Sequence, residues 1–347
     1  MQREAKARFS AGKLVLPIVL AAAAYLALLV YGRFGDLGEA FARFRLGFLV
    51  PILALALLNY GLRFVRWQYY LRRCAATVPR WTSAAIFFSG FAMSVTPARV
   101  GELLKCFMLR DEARVPLAVS VPVVIAERVT DVVAVCVLIA LGTLRYSIAR
   151  GAFFVAAAIV IALVIALAWS PWIADLAERV FARRLARRAG AGEAGSAAAR
   201  AEAMRRAADT LAVLLRGRAL LAGVALGTLA WFAECVAMYL VLGGLGSWRL
   251  SLLAATFVYA LSTLAGALSL LPGGLGATEL GMTALLAAFG VGRETAVAAV
   301  VIVRLCTLWF ATGLGVAVYL VHRRRLAAAK APGPDAVSPP EVTTHGA

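Results

Sequence analysis

Charge is scarce in this chain. Only 16% of its 347 residues are Asp, Glu, Lys or Arg, against roughly 25% in an ordinary soluble domain. Histidine is scarcer still, with two in all, His322 and His345. The five cysteines, Cys74, Cys106, Cys136, Cys235 and Cys306, share no CxxC or other ligand spacing. These shortages argue against a zinc site or a disulfide framework, and no cofactor is expected. The glycine-rich stretch GGLG at 273–276 has no strand pattern before it and no GKS/T after it, which excludes a nucleotide loop.

What fills the chain is apolar. Hydrophobic residues make up 63%, and the mean hydropathy is +0.86. Several runs approach or exceed the roughly 18–20 apolar residues that cross a bilayer. The expected fold class is therefore an all-α, polytopic integral membrane protein. The net charge of +18 comes from bases that sit mostly beside apolar runs. Membrane orientation explains them better than nucleic acid does, and no nucleic-acid partner is expected. The basic N-terminus precedes Leu14–Tyr31, which is long and lacks a clear small-residue cleavage site. It reads as an uncleaved first span.

Six spans are predicted, at about 14–31, 46–65, 117–144, 150–169, 219–243 and 295–321. Two further apolar stretches, 83–109 and 252–289, are interrupted near their middles by Pro and Gly. Proline removes a backbone donor and clashes with the preceding turn. In lipid the freed backbone groups must be satisfied by protein or by a wet cavity. Both stretches therefore read as re-entrant helical hairpins. With the N-terminus inside, 24 loop bases, Arg66 among them, fall on the cytoplasmic side and seven on the other. That bias agrees with the positive-inside rule. Both termini are expected in the cytoplasm.

Under this topology, 13–322 forms one transmembrane domain of two halves, about 13–145 and 150–321. The halves repeat the order span, hairpin, span in opposite directions. "TPARVGE" (96–102) resembles "LPGGLGATE" (271–279), and "ERVTD" (127–131) falls where "VRLCT" (303–307) falls. Pro97 precedes Pro272, Glu102 precedes Glu279 and Arg128 precedes Arg304 by nearly the same interval, half the chain in each case. Near-equal offsets point to an inverted repeat, with a binding site between the halves near mid-membrane. The insertion at 171–218 is basic and cytoplasmic. It reads either as a helix lying on anionic membrane lipids or as a solvated orientation signal. The Pro- and Ala-rich segment 327–347 reads as a disordered cytoplasmic tail.

Ten ionisable residues fall inside the apolar stretches: Arg63, Arg99, Lys105, Arg128 and Arg304 against Glu102, Glu127, Asp131, Glu234 and Glu279. A charge facing lipid at a helix centre costs about 2.5–3.5 kcal/mol on insertion scales, so these must face protein, water or one another. They are ion pairs that clamp the bundle, or they receive a polar cargo. The break at Pro272, Gly273 and Gly274 precedes a half-helix whose amides suit an anion such as phosphate. Glu279, one turn further on, balances that dipole, accepts a proton, or holds a cationic headgroup.

"TPARVGELLK", then "ERVTD", then the late "LPGGLGATE" together resemble the lysylphosphatidylglycerol synthase transmembrane region family, a flippase-like domain family. The resemblance covers about 13–322. It implies a multi-pass protein of the bacterial inner membrane that moves a lipid, aminoacylated in the best-understood members, between leaflets. The family's first motif maps onto Arg99 and Glu102, its second onto Glu127, Arg128 and Asp131, and its turn onto Pro272, Gly273, Gly274 and Glu279. Lysyl-lipid synthases carry a soluble transferase domain after the membrane region. This chain stops soon after its last span, so a stand-alone member is expected. The implied partner is a phospholipid or a polyprenyl-phosphate-linked substrate, and a homodimer is compatible with the sequence. A lipid-modifying enzyme and an accessory scaffold for envelope assembly stay open. Against an enzyme, the membrane region lacks a nucleophile–base arrangement, a metal set, and any histidine except His322 at its edge.

Overall fold

The computed structural model describes residues 34–96, 101–143, 191–248 and 250–330, with five isolated helical positions between 151 and 162. The expected span at 14–31, nearly all of that at 150–169, the insertion before Ala191 and the tail beyond Lys330 lie outside the described residues, as do Pro97 and Arg99. Among the described residues every regular element is helical, so the protein is all-α.

Helix α1 (Phe34–Ala42) leads through a 3-10 turn at Leu46–Phe48 into α2 (Leu49–Arg73). In α2, Pro51 stands in the first turn, where its missing N–H costs nothing. Arg72 and Arg73 close the last turn, where positive charge complements the helix dipole. The first broken stretch forms α3 (Arg80–Ser89), a 3-10 turn (Gly90–Met93) and α4 (Leu104–Ala113). Helix α5 (Leu117–Thr143) runs on past an internal Pro122. Then come α6 (Ala191–Leu214) and α7 (Gly217–Gly244). The second broken stretch forms α8 (Leu252–Leu268), a 3-10 turn at Pro272–Gly274 and α9 (Ala277–Ala288). The last expected span contains α10 (Arg293–Arg304), a π-helical turn (Leu305–Trp309) and α11 (Phe310–Lys330).

Three described segments are long and apolar enough to cross a membrane: Leu46–Arg73, Gly217–Gly244 and Arg293–Ala327. Their outward faces leave large apolar side chains exposed, among them Val50, Leu58, Leu221, Leu229 and Leu320, as lipid contact requires.

Helix α2 packs along α7, and α5 packs between α7 and α8. Helix α9 folds back on α8 and also meets α10, while α11 lies on α3 and the 3-10 turn that follows it. The final long helix thus rests its first half on the second broken segment and its second half on the first. Among the described residues two large apolar cores result. One joins the C-terminal half of α5 (Ala134, Val135, Leu138, Ile139) to α7, α8 and α10. The other joins the N-terminal half of α5 (Val123, Val124, Ala126, Val129) to α2, α3, α4 and α6. Glu127, Arg128, Thr130 and Asp131 of α5 fall around the junction of these two sets, so the charge gathers at the seam where the cores meet.

Candidate functional site

The seam is built on Asp131. Its Oδ1 accepts a hydrogen bond from Arg66 Nη2 at 2.7 Å. Its Oδ2 lies 3.1 Å from Arg128 Nη2 and 3.6 Å from Arg63 Nη2. Arg128 also reaches Glu102 at 3.3 Å. Lys105 joins Glu102 at 3.7 Å to Glu127 at 2.9 Å. The ammonium of Lys105 further lies 4.8 Å and 5.2 Å from the ring centroids of Trp67 and Phe87, a cation–π setting that offsets part of its lost hydration. Its stem fills the space where a side chain on Gly90 would stand, which explains a glycine there. Five of the sequence-predicted site residues, Glu102, Lys105, Glu127, Arg128 and Asp131, are thereby one connected network.

A second group forms at the other break. Arg304 donates from Nε to Glu279 Oε1 at 2.6 Å and from Nη2 to the Gly273 carbonyl at 2.9 Å. Glu279 Oε2 accepts from the Gly276 amide at 2.7 Å. The expectation that amides at this half-helix start await an outside anion is corrected at Gly276. The chain's own carboxylate takes that amide, because Glu279 stands one turn into α9, where its side chain can fold back. The turn itself needs glycine, since Gly273 and Gly274 have φ of 62° and 68°, a region that side chains disfavour. Pro272 is buried at its start.

Glu234 of α7 forms a third group and accepts from Tyr259 Oη at 2.6 Å. Nearby, Tyr60 Oη donates to the Thr307 carbonyl at 2.7 Å, inside the π turn.

These groups surround one cavity of about 270 Å³. Of the predicted site residues, Arg128, Asp131, Glu234, Gly273, Gly274 and Arg304 border it, while Glu102, Lys105, Glu127, Glu279 and Pro272 stand behind its wall. Arg99 lies outside the described residues. Arg63 and Glu234 fall within the middle third of their long apolar segments, so the cavity lies at depth.

Arg66 is the clearest correction to the sequence reading. Counted there among cytoplasmic loop bases, it is fully buried against Asp131. Its loss from that count leaves the sign of the charge bias unchanged. Among the described residues the buried bases are Arg63, Arg66, Lys105 and Arg304, with Arg128 half-buried, against the buried acids Glu102, Glu127, Asp131, Glu234 and Glu279. The signal was present: Asn59, Arg63, Arg66 and Tyr70 recur at spacings of four, three and four, one helix face, and all four are buried. Tyr60, Trp231 and Tyr259 also border the cavity. Nothing in the sequence set these aromatics apart from lipid-facing ones.

The comparisons with known proteins follow this geometry. Residues 14–315 match the family described as Lysylphosphatidylglycerol synthase TM region. A UPF0104 membrane protein of Methanothermobacter thermautotrophicus (strain Delta H) is 25% identical over 325 residues, covering 86% of this chain and 93% of its own. A second match to a UPF0104 membrane protein of that organism is 37% identical over 90 residues, 26% of this chain and 27% of the relative. The match spans most of the chain, and the chain belongs to the lysylphosphatidylglycerol synthase transmembrane region family.

Proposed function

We propose that this protein moves a phosphate-bearing lipid, aminoacylated or glycosylated, between the leaflets of a bacterial inner membrane. The observation that carries the reading is the cavity at depth, walled by Arg63, Arg128, Asp131, Glu234 and Arg304 and bordered by both broken segments. Buried charges that served only to clamp helices would pack without leaving space. Here a cavity lies against five of them. A lipid headgroup needs such a polar stage midway, because its transfer through bare hydrocarbon would strip its hydration with nothing in return.

The two breaks act as the moving parts of this reading. They are the re-entrant hairpins of two inverted halves, and each presents an Arg–Glu pair at its base: Arg128–Glu102 at 3.3 Å and Arg304–Glu279 at 2.6 Å. Equal structures in opposite directions give alternate access to the two faces. Both termini are cytoplasmic.

Reconstitution tests it. Fluorescent phospholipid and aminoacylated lipid are placed in one leaflet of proteoliposomes and their loss to the other is followed. The wild type accelerates exchange of at least one, and Arg128→Ala and Glu279→Ala abolish it while the protein stays folded. Exchange at the wild-type rate in both variants rejects the assignment.

A further inference from the structure

Three bases, Arg63, Arg128 and Arg304, and two acids, Asp131 and Glu234, border the cavity, and some of the donors on its lining residues have no acceptor. Arg63 Nε, Arg128 Nε and Trp231 Nε1 are buried N–H groups with no acceptor among the described residues. They come from α2, α5 and α7, and all three residues border the same cavity. Arg63 and Trp231 are more than nine-tenths buried, so water at the outer surface does not serve them. An unmet buried donor keeps the cost of its lost hydration with nothing in return. Asp131 Oδ2 also borders the space but already lies within 3.1 Å of Arg128. Four other orphaned oxygens, on Asn59, Ser89, Thr256 and Ser262, belong to residues that do not border it. The unmet demand at the cavity is for an acceptor.

Part of the cavity lining is apolar and exposed. Leu270 and Leu271, at the tip of the second break, border the cavity and are 65% and 41% exposed. Leu264 and Val135 are buried apolar members of the same lining. Leu270 holds a left-handed backbone, φ 55°, which L side chains rarely adopt. An exposed leucine there places apolar surface beside the polar part of the cavity lining.

From these two parts of the lining we propose that the cavity is a bipartite amphiphile site. The Arg63, Arg128 and Trp231 N–H groups take the phosphate oxygens, and the acyl or prenyl chain leaves sideways over Leu270 and Leu271 into the bilayer. The donors are covered in this conformation, and rotation of the Arg63, Arg128 and Trp231 side chains brings them to the ligand. This rests on the lipid reading above and adds which residues hold which part. A soluble anion would use only the polar part.

Binding to the full chain in phosphatidylcholine nanodiscs tests it by native mass spectrometry. The probes are oleoyl-lysophosphatidic acid, glycerol 3-phosphate and monoolein. The wild type should bind the lysophosphatidic acid at least about tenfold more tightly than either single-ended probe, a step of about 1.4 kcal/mol. Trp231→Phe, which keeps the ring and loses only the N–H, and Arg63→Gln should each weaken it about fivefold to tenfold. Leu270→Asn, whose side chain tolerates the left-handed backbone, should weaken lysophosphatidic acid and leave glycerol 3-phosphate unchanged. Glycerol 3-phosphate binding as tightly as the lipid overturns the apolar half. Lysophosphatidic acid binding untouched by Trp231→Phe and Arg63→Gln overturns the donor half. Leaflet exchange is read separately, so binding without exchange faults the transport reading and leaves this site standing.

Discussion

Arg304 grips Glu279 at 2.6 Å, and Arg128, half a chain earlier, stands 3.3 Å from Glu102. Each pair ties a residue just past a helix break to the middle of the long helix that follows. The interval along the chain from glutamate to arginine is nearly the same in both pairs. One arrangement occurs at both breaks, as the proposed duplication requires.

That pair supports a graded prediction. Glu279→Gln keeps an acceptor for the Gly276 amide and loses the charge that faces Arg304. Glu279→Ala loses both and leaves a buried guanidinium without its carboxylate. Removing one partner of a buried charge pair costs about 3–5 kcal/mol. Thermal unfolding in detergent should therefore rank wild type above Glu279→Gln and Glu279→Ala lowest. Equal midpoints for Gln and Ala would show that the amide bond adds nothing.

Asp131 is the hub of the other network, with three guanidiniums around one carboxylate. Asp131→Ala leaves Arg63, Arg66 and Arg128 facing one another, while Arg63→Ala leaves the carboxylate two partners. Asp131→Ala should be the more destabilising by about 1–3 kcal/mol. Adding Arg63→Ala to Asp131→Ala should recover part of the loss, because it removes a like charge. A double variant no more stable than Asp131→Ala would remove the repulsion argument.

The π turn at Leu305–Trp309 is held from outside by Tyr60, whose hydroxyl donates to the Thr307 carbonyl at 2.7 Å. A π turn frees a carbonyl from its α-helical partner, and such turns cluster at functional positions. Tyr60→Phe removes the donor with little change of shape and should cost about 1 kcal/mol. Amide exchange over 305–311 should quicken, with little change in α10. Unchanged exchange there would mean that helix packing alone holds the turn.

How much of this was legible follows from what sequence carries. The breaks at 272–276 were readable because Pro and Gly have backbone rules of their own, and the ions were readable because charge among apolar residues has few explanations. Arg66 was missed because it sits near a helix end, where a base usually serves orientation. Only the packing of α2 on α5 and α7 turns it inward. The Glu279 cap was ambiguous because three roles share one spacing, and the fold-back to Gly276 decides one of them. Trp231 and Tyr259 became visible only with the cavity, since an aromatic on an apolar helix gives no sign of which way its polar atom points.

Cys74 offers a test of orientation. It caps α2 just past Arg73 and is half-buried, whereas Cys106, Cys136, Cys235 and Cys306 are buried. Burial pushes its thiol above the usual range, and the neighbouring Arg73 offsets only part of that. The thiolate is the reactive form, so its fraction is small at neutral pH and grows as pH rises towards the raised value. Maleimide labelling of Cys74 should therefore be slow at pH 7 and speed up at pH 9. With cytoplasmic termini, the end of α2 faces the cytoplasm. Labelling of intact cells with a membrane-impermeant maleimide should then fail and should appear after permeabilisation. A variant with Cys74→Ser as its one change should lose that signal. Labelling in intact cells that Cys74→Ser removes would reverse the orientation and with it the direction assigned to each half.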